Sequence, residues 1–334
     1  MVNNSSYLIT GGTGSFGQEF LRYLLDVVKV KKKIIIFSRD EFKQFEMKKR
    51  FNPSKYQNLR YFIGDVRDKN RLDRAFEGVD IIVHAAALKQ VDVGEYNPTE
   101  FINTNIVGAQ NIIEASISHK VKKILALSTD KAAAPINLYG ATKLCSDKLF
   151  VSSNLYSGKK FQASVVRYGN VFRSRGSVIP LFQKQKNDKY FTITHKDMTR
   201  FNISIAEAAK KVFWYLKNSI GGEIFVPKLS SYKILDVAKA INPKNKIKYI
   251  GIRPGEKIHE ELVTSNDSFN TIEYKNGYII LPTFELHGYK KYISHYKAKP
   301  VKENFQYASN TTNKYLSILQ LKKLIENKLN KQDY

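Results

Sequence analysis

The stretch Thr10-Gly11-Gly12-Thr13-Gly14-Ser15-Phe16-Gly17 constrains the fold more than any other, because of where it falls in the chain. It follows the apolar run Tyr7-Leu8-Ile9-Thr10 without a gap and leads into an amphipathic segment, Phe20 to Val28. A strand, a glycine turn and a helix in immediate succession let backbone amides approach a pyrophosphate at the helix N-terminus. Gly12-x-Gly14-x-x-Gly17 fits the dinucleotide-binding fingerprint, and the strand–turn–helix context gives it weight.

The rest of the first half repeats the alternation. Ile34 to Ser38, Leu59 to Ile63, Asp80 to Ala85, Lys123 to Ser128 and Ala163 to Tyr168 are short apolar runs separated by helix-length segments. Strands apolar on both faces imply a parallel sheet covered on both sides. The expected fold is therefore α/β, a doubly wound parallel sheet of the Rossmann type with a smaller C-terminal substrate domain. Residues 1–170 make the dinucleotide-binding domain, and 200–227 return to it through a helix (Ala206 to Lys217) and a strand (Glu223 to Val226). Residues 171–199 and 228–334 make the smaller domain. Its C-terminal extension, from 286 on, includes an amphipathic stretch from Leu316 to Leu329.

Composition narrows the class. The chain has 334 residues, 55 Lys+Arg against 30 Asp+Glu, a net charge of +25, and one cysteine, Cys145. A single cysteine excludes a disulfide framework and fits a reducing, cytoplasmic setting. Cys145 itself is expected to be a packing residue. No apolar run approaches the ~20 residues of a membrane span, and the N-terminus lacks the build of a signal peptide. The excess charge is spread along the chain, so it reads as a solvated lysine-rich surface rather than a nucleic-acid footprint.

The second strand ends on Ser38-Arg39, about 20 residues past the last glycine, where an acidic residue would accept the 2′-hydroxyl of NAD. Arg39 and, one helical turn on, Lys43 suit a 2′-phosphate instead, so the expected cofactor is NADP. Asp65 and Val66 follow the third strand, where an aspartate can accept from the adenine amino group or simply cap a turn. Ala85-Ala86-Ala87 ends the fourth strand with side chains small enough for close passage of a cofactor. His84, just before them, reads as a buried histidine.

The fifth strand delivers Ser128, Thr129, Asp130 and Lys131 to the carboxyl edge of the sheet, where open α/β sheets bind ligands. Tyr139-x-x-x-Lys143 follows, and positions i and i+4 share one face of a helix. An ammonium there can lower the phenol's pKa, so that Tyr139 removes a hydroxyl proton while hydride leaves the same carbon.

Together with Gly11-x-x-Gly14-x-x-Gly17 and Arg167-Tyr168-Gly169-Asn170-Val171, these residues resemble the extended short-chain dehydrogenase/reductases that act on nucleotide sugars. Phe37 to Glu41, Gly64 to Asp68, His84 to Lys89, Ser128 to Ala132, Ser174 to Val178, Met198 to Phe201 and Gly251 to Lys257 narrow the resemblance. They are similar to the inverting UDP-N-acetylglucosamine 4,6-dehydratases of the pseudaminic-acid pathway. That resemblance implies Tyr139 as the group at O4, Asp130 as the acid at O6 and Lys131 as the base at C5, with Thr129 beside them. A basic lysine must be substantially neutral, which burial or a neighbouring cation such as Lys143 would achieve. It further implies that Lys89, Tyr96 and Asn105 border the substrate, Asn170 approaches the diphosphate, and Arg200, Arg253 and Glu256 grip diphosphate and ribose. A UDP-sugar substrate, no metal and a homo-oligomeric, cytoplasmic protein are implied as well.

Gln90, Asp92 and Phe172-Arg173 depart from the dehydratase pattern, Gln90 toward the related hexosamine epimerases, whereas Tyr139 is of the dehydratase type. A 4- or 5-epimerase of the same substrate is thus the near alternative. A non-catalytic dinucleotide-sensing protein with a polyanion-binding surface is the remote one.

Overall fold

A computed structural model describes residues 2–158, 160–172, 178–284 and 286–326. The Ser174 to Ser177 part of the family motif, and the end of the Leu316 to Leu329 stretch, lie outside the described residues. Strands β1 (Tyr7–Thr10), β2 (Ile34–Ser38) and β3 (Leu59–Ile63) alternate with helices α1 (Ser15–Arg22), α2 (Glu41–Arg50) and α3 (Lys69–Phe76). After β4 (Ile81–His84) come three helices, α4 (Val91–Tyr96), α5 (Pro98–Ile102) and α6 (Gly108–Ser118), then β5 (Lys123–Thr129), α7 (Leu138–Ser153) and β6 (Gln162–Tyr168). Short polar residues start the helices: Asp40, Asp68 and Asn137 each accept a backbone N–H of the first turn of α2, α3 and α7. The first helix opens at Ser15, earlier than expected, and continues through wider π-type turns over Tyr23–Val28.

The six strands pair in parallel in the order β3-β2-β1-β4-β5-β6, the doubly wound arrangement. All residues of β1, β2 and β4 are buried, which is what near-continuous apolar runs require of a sheet covered on both faces. In register, Thr10 pairs with His84 and His84 with Ala126. The fifth strand therefore runs on past its neighbour and carries Ser128 and Thr129 beyond the carboxyl edge.

Beyond β6 the chain forms α8 (Val178–Lys184), β7 (Tyr190–Ile193), β8 (Thr199–Asn202), α9 (Ile205–Asn218) and β9 (Ile224–Pro227). Strand β9 pairs with the sheet, parallel to β6. Next are β10 (Ser230–Lys233), α10 (Ile234–Ile241), β11 (Lys246–Tyr249), β12 (Glu261–Val263), β13 (Thr271–Tyr274) and β14 (Gly277–Ile280). The chain closes with α11 (Tyr289–Tyr296), β15 (Lys299–Pro300), β16 (Tyr307–Ala308) and α12 (Ile318–Glu326). A second core of Phe182, Phe191, Ile193, Val237, Leu321 and their neighbours joins α8, β7, α10 and α12.

The expectation that 228–334 stays apart from the main sheet needs correction. Strands β14, β13 and β15 add antiparallel to β9 and bring the sheet to ten strands among the described residues. The apolar alternation of Ile272, Tyr274, Tyr278 and Ile280 is the physical reason, since these side chains fill the main core rather than the second one.

Candidate active site

A cleft of about 1920 Å³ runs along the carboxyl edge of the sheet, between it and the second core. Pockets for single drug-sized ligands measure about 300–1,000 Å³, so this cleft has room for two ligands. At one end lie Gly11, Thr13, Gly14, Ser15, Phe16 and Gly17 with Ser38, Arg39, Lys43, Asp65, Val66 and Ala85 to Ala87. Gly11 adopts φ +62°, and a Cβ there would sit 2.8 Å from the Ala86 nitrogen, so only glycine lets β1's turn pass so close to β4's end. Thr10 and Gly12 support the turn without lining the cleft. The Thr10 hydroxyl accepts from the amides of Ala85 and Ala86 and meets His84 Nδ1 at 2.8 Å. His84 is buried, and burial followed by the charge of Lys143 pushes it down to about 3, so it stays neutral.

The charged residues around the end of β2 show a clear division. Asp40, the acidic residue nearest the end of β2, is spent on α2: it accepts the Lys43 amide at 2.8 Å and pairs with Lys43 Nζ at 2.6 Å. Asp65 caps its own turn, accepting from the Arg67 amide and guanidinium, and stands 3.5 Å from Arg39. An adenine contact from Asp65 would compete with these bonds.

At the centre, Thr129, Lys131, Tyr139 and Lys143 line the cleft. Asp130 does not line it; the carboxylate is buried behind Lys131, accepting from Thr129 Oγ1 at 2.8 Å and from Lys131 Nζ at 3.1 Å. Tyr139 is brought there by Gly140, whose missing side chain leaves α7 in contact with the Lys131 carbonyl. Burial pushes the Tyr139 phenol up to about 12; the charge of Lys131 and a hydrogen bond with Thr129 act against it.

Two electrostatic expectations are corrected here. The ammonium that acts most on Tyr139 is Lys131, whereas Lys143, one turn along α7, faces Asp147 and is itself pushed down by burial. Lys131 is not depressed either. Burial would lower it, but Asp130 and then Glu260, at 3.1 and 3.3 Å, outweigh burial and the repulsion of Arg200 and hold it above its ordinary value.

The second-domain side holds Arg200, Arg253 and Glu256, and Lys89 and Asn170 line the cleft as well. Arg200 is buried and bonded to the carbonyls of Thr199 and Ile258, with Glu256 at 3.3 Å and Glu260 at 3.4 Å. Two residues expected beside the substrate are not in the cleft lining. Tyr96 is 89% exposed at the end of α4. Asn105 is buried, clamping both backbone groups of Leu88 and donating to Thr142. Cys145, expected to pack inside, lies on the exposed side of α7, because Tyr139, Lys143, Ser146 and Asp147 claim the inner face.

Sequence reasoning passed over Glu260 and Asp147. Asp147 accepts from Ser128 Oγ at 2.8 Å and lies 3.4 Å from Arg167. Its spacing was the available signal, since it stands four residues past Lys143 and eight past Tyr139, on their helix face. For Glu260 the signal was weaker: a charge directly before the apolar strand β12.

A glycine turn under one end of the cleft and a Tyr-x-x-x-Lys helix at its centre, on a doubly wound sheet, define an extended short-chain dehydrogenase/reductase. Among the described residues no cluster of potential ligands could hold a metal, and no helix is long and apolar enough to cross a membrane. The chain belongs to the polysaccharide biosynthesis protein family, which matches residues 7–282. It is 49% identical over 332 residues to the UDP-N-acetylglucosamine 4,6-dehydratase (inverting) of Campylobacter jejuni, covering 97% of this chain and 98% of that one. A UDP-glucose 4-epimerase of Rickettsia bellii is 42% identical over 336 residues, 98% of this chain and 97% of that one. The X-ray structure of Pen from Bacillus thuringiensis superposes with a TM-score of 0.87 at 36% identity, over 98% of this chain and 99% of that one.

Proposed function

We infer that this chain is a UDP-N-acetylglucosamine 4,6-dehydratase that inverts C5. The observation that carries the reading is the arrangement of Thr129, Asp130, Lys131 and Tyr139 on one turn and helix end in the cleft. The 49% identity to an inverting dehydratase over nearly the whole of both chains supports it. When bound, the dinucleotide supplies the acceptor for hydride from C4 and later the donor to C6.

The protein's own groups then have these tasks. Tyr139 takes the proton of the 4-hydroxyl, helped by the Lys131 charge and the Thr129 hydrogen bond that already oppose its burial. The resting Lys131 ammonium lies 3.1 Å from Asp130. One proton passed from Lys131 to Asp130 leaves an amine and a carboxylic acid, the forms needed to take the C5 proton and protonate the departing 6-hydroxyl. Arg200 and Arg253 suit the diphosphate, because a guanidinium fork donates two parallel hydrogen bonds, with Glu256, Asn170 and Lys89 at the ribose and sugar. Lys143, lining the cleft one helical turn from Tyr139, serves the cofactor.

NADP is the cofactor of this reading. Arg39 and Lys43 stand at the end of β2, and the Asp40 carboxylate that could accept a ribose 2′-hydroxyl is occupied by α2. Residence in the cytoplasm, self-association and a place in pseudaminic-acid biosynthesis go with the resemblance and rest on it.

NADP-loaded protein given UDP-N-acetylglucosamine should release a 4-keto product lighter by one water, read by mass spectrometry. Tyr139→Phe and Lys131→Ala should each lower its formation by ~10²-fold or more while still giving a cooperative thermal melt. The epimerase names among relatives at 42% identity favour a second reading. A product of unchanged mass would establish it in place of the first, and absence of turnover would overturn both.

A further inference from the structure

Glu260 lies just before β12, 2% exposed, and the chemistry above makes no use of it. Its Oε1 stands 3.3 Å from Lys131 Nζ and 3.4 Å from Arg200 Nε. Its Oε2 is buried with no hydrogen-bond partner among the described residues. An incompletely paired buried carboxylate is costly, so something must hold it in place. The Glu260 amide donates to Ser309 Oγ at 2.9 Å, and the Ser309 amide donates back to the Glu260 carbonyl at 2.7 Å. The loop before it is fastened to the Lys131 turn as well. Asn137 Nδ2 donates to the Gly255 carbonyl at 2.9 Å, and Lys257 Nζ to the Ala133 carbonyl at 2.7 Å.

We propose that Glu260 is the positioning residue of Lys131: its carboxylate, shared with the Arg200 guanidinium, fixes the amine in the cleft and sets how readily it exchanges a proton with Asp130. The proposal deepens the dehydratase reading and rests on it for the carbon that Lys131 serves. The charged and titratable groups around Lys131 are Asp130 on its own turn, Tyr139 from α7, Arg200 from β8, Tyr232 from β10 and Glu260. His259 adjoins Arg200 from the same loop as Glu260. Of these, two carboxylates attract the ammonium and Arg200 repels it. Removing the charge of Glu260 leaves Asp130 to oppose both burial and Arg200, so Lys131 gives up its proton at lower pH.

The test is competitive labelling of Lys131 with trace acetic anhydride over about pH 6 to pH 11, read by peptide mass spectrometry on wild type and Glu260→Gln. Turnover of UDP-N-acetylglucosamine is followed across pH in parallel. The expected result is a rise of Lys131 labelling with pH that is displaced to lower pH by about 1 unit or more. The Lys131-dependent limb of kcat should move the same way, while KM changes less than about threefold. Glu260→Asp, which keeps the charge but draws it back from Lys131 by one methylene, should give a smaller displacement of the same sign. A labelling curve that does not move, or a kcat that falls equally at every pH, overturns the proposal. If Glu260→Gln shows no cooperative melt, Glu260→Asp decides alone: a smaller displacement of the same sign supports the proposal and none overturns it. Wild type that makes no 4-keto product overturns the dehydratase reading instead, and the labelling still decides the part of Glu260.

Discussion

Two buried glutamates hold the C-terminal half of this chain to the sheet, and their surroundings differ in kind. Glu223, fully buried ahead of β9, accepts from Ser164 Oγ at 2.6 Å, the amides of Ile220 and Gly221 at 2.6 and 2.9 Å, and Tyr296 Oη at 2.5 Å. All four donors are neutral, and both oxygens are satisfied. Glu260 faces two cations through one oxygen and nothing described through the other. Neutral donors fix a carboxylate's geometry and use up its capacity to act, which suits an anchor for α11. Cations and a bare oxygen leave a charge that still influences whatever titrates beside it, which suits a reaction centre.

The comparison breaks if Glu223 influences catalysis. Glu223→Ala strands four buried donors and should cost about 3 kcal/mol or more of stability, seen as a lower urea midpoint. The kcat of the molecules that remain folded should match wild type. Gly140→Ala sharpens the other side by forcing a Cβ against the Lys131 carbonyl. It should cost about 1–3 kcal/mol and lower kcat more than it changes KM, because Tyr139 and Lys131 are pushed apart. Asn137→Ala removes the cap of α7 and its bond to Gly255. A loss of about 1 kcal/mol in a thermal melt is expected.

The smallest effect belongs to a carboxylate that also meets two lysines, Lys32 and Lys122, but is partly open to water. Burial would raise Asp80, yet Lys122 and the Ser6 amide and hydroxyl outweigh it and hold the carboxyl below its ordinary value. With the folded-state value below the unfolded ~3.9, its stabilisation is present above that pH and lost as pH falls through the folded value. Asp80→Asn should therefore cost less than ~1 kcal/mol at neutral pH and nothing measurable once the carboxyl is protonated. Paired melts at the two pH values check it.

The sequence made the cofactor half of the cleft legible and the opposite wall only in part. Strands β1 and β2 fall where the apolar runs predict them, because a strand covered on both faces writes its whole length as apolar residues. The glycine turn is local in the same sense. The groups that govern Lys131 are not local. Glu260 is 129 residues away, and the Lys257 and Asn137 ties span 124 and 118. No periodicity encodes such a meeting, so the sign of the field at Lys131 came out reversed. Tyr96 and Asn105 show a related limit. Both sit in the helical stretch after β4, and only packing decides that one is turned to solvent while the other is spent on Leu88 and Thr142.

Ser309, the residue that clasps Glu260, has a consequence for the order in which the molecule is made. The six parallel strands are complete once residue 168 has been synthesised, and domains generally fold N-terminal first as the chain emerges. A nascent chain at that stage already has its glycine turn and the Tyr139 helix, but nothing yet to hold Glu260. The clasp forms only when residue 309 is in place. The protein is thus built as a dinucleotide-binding body first and acquires its finished reaction centre only after a further stretch of chain has been made.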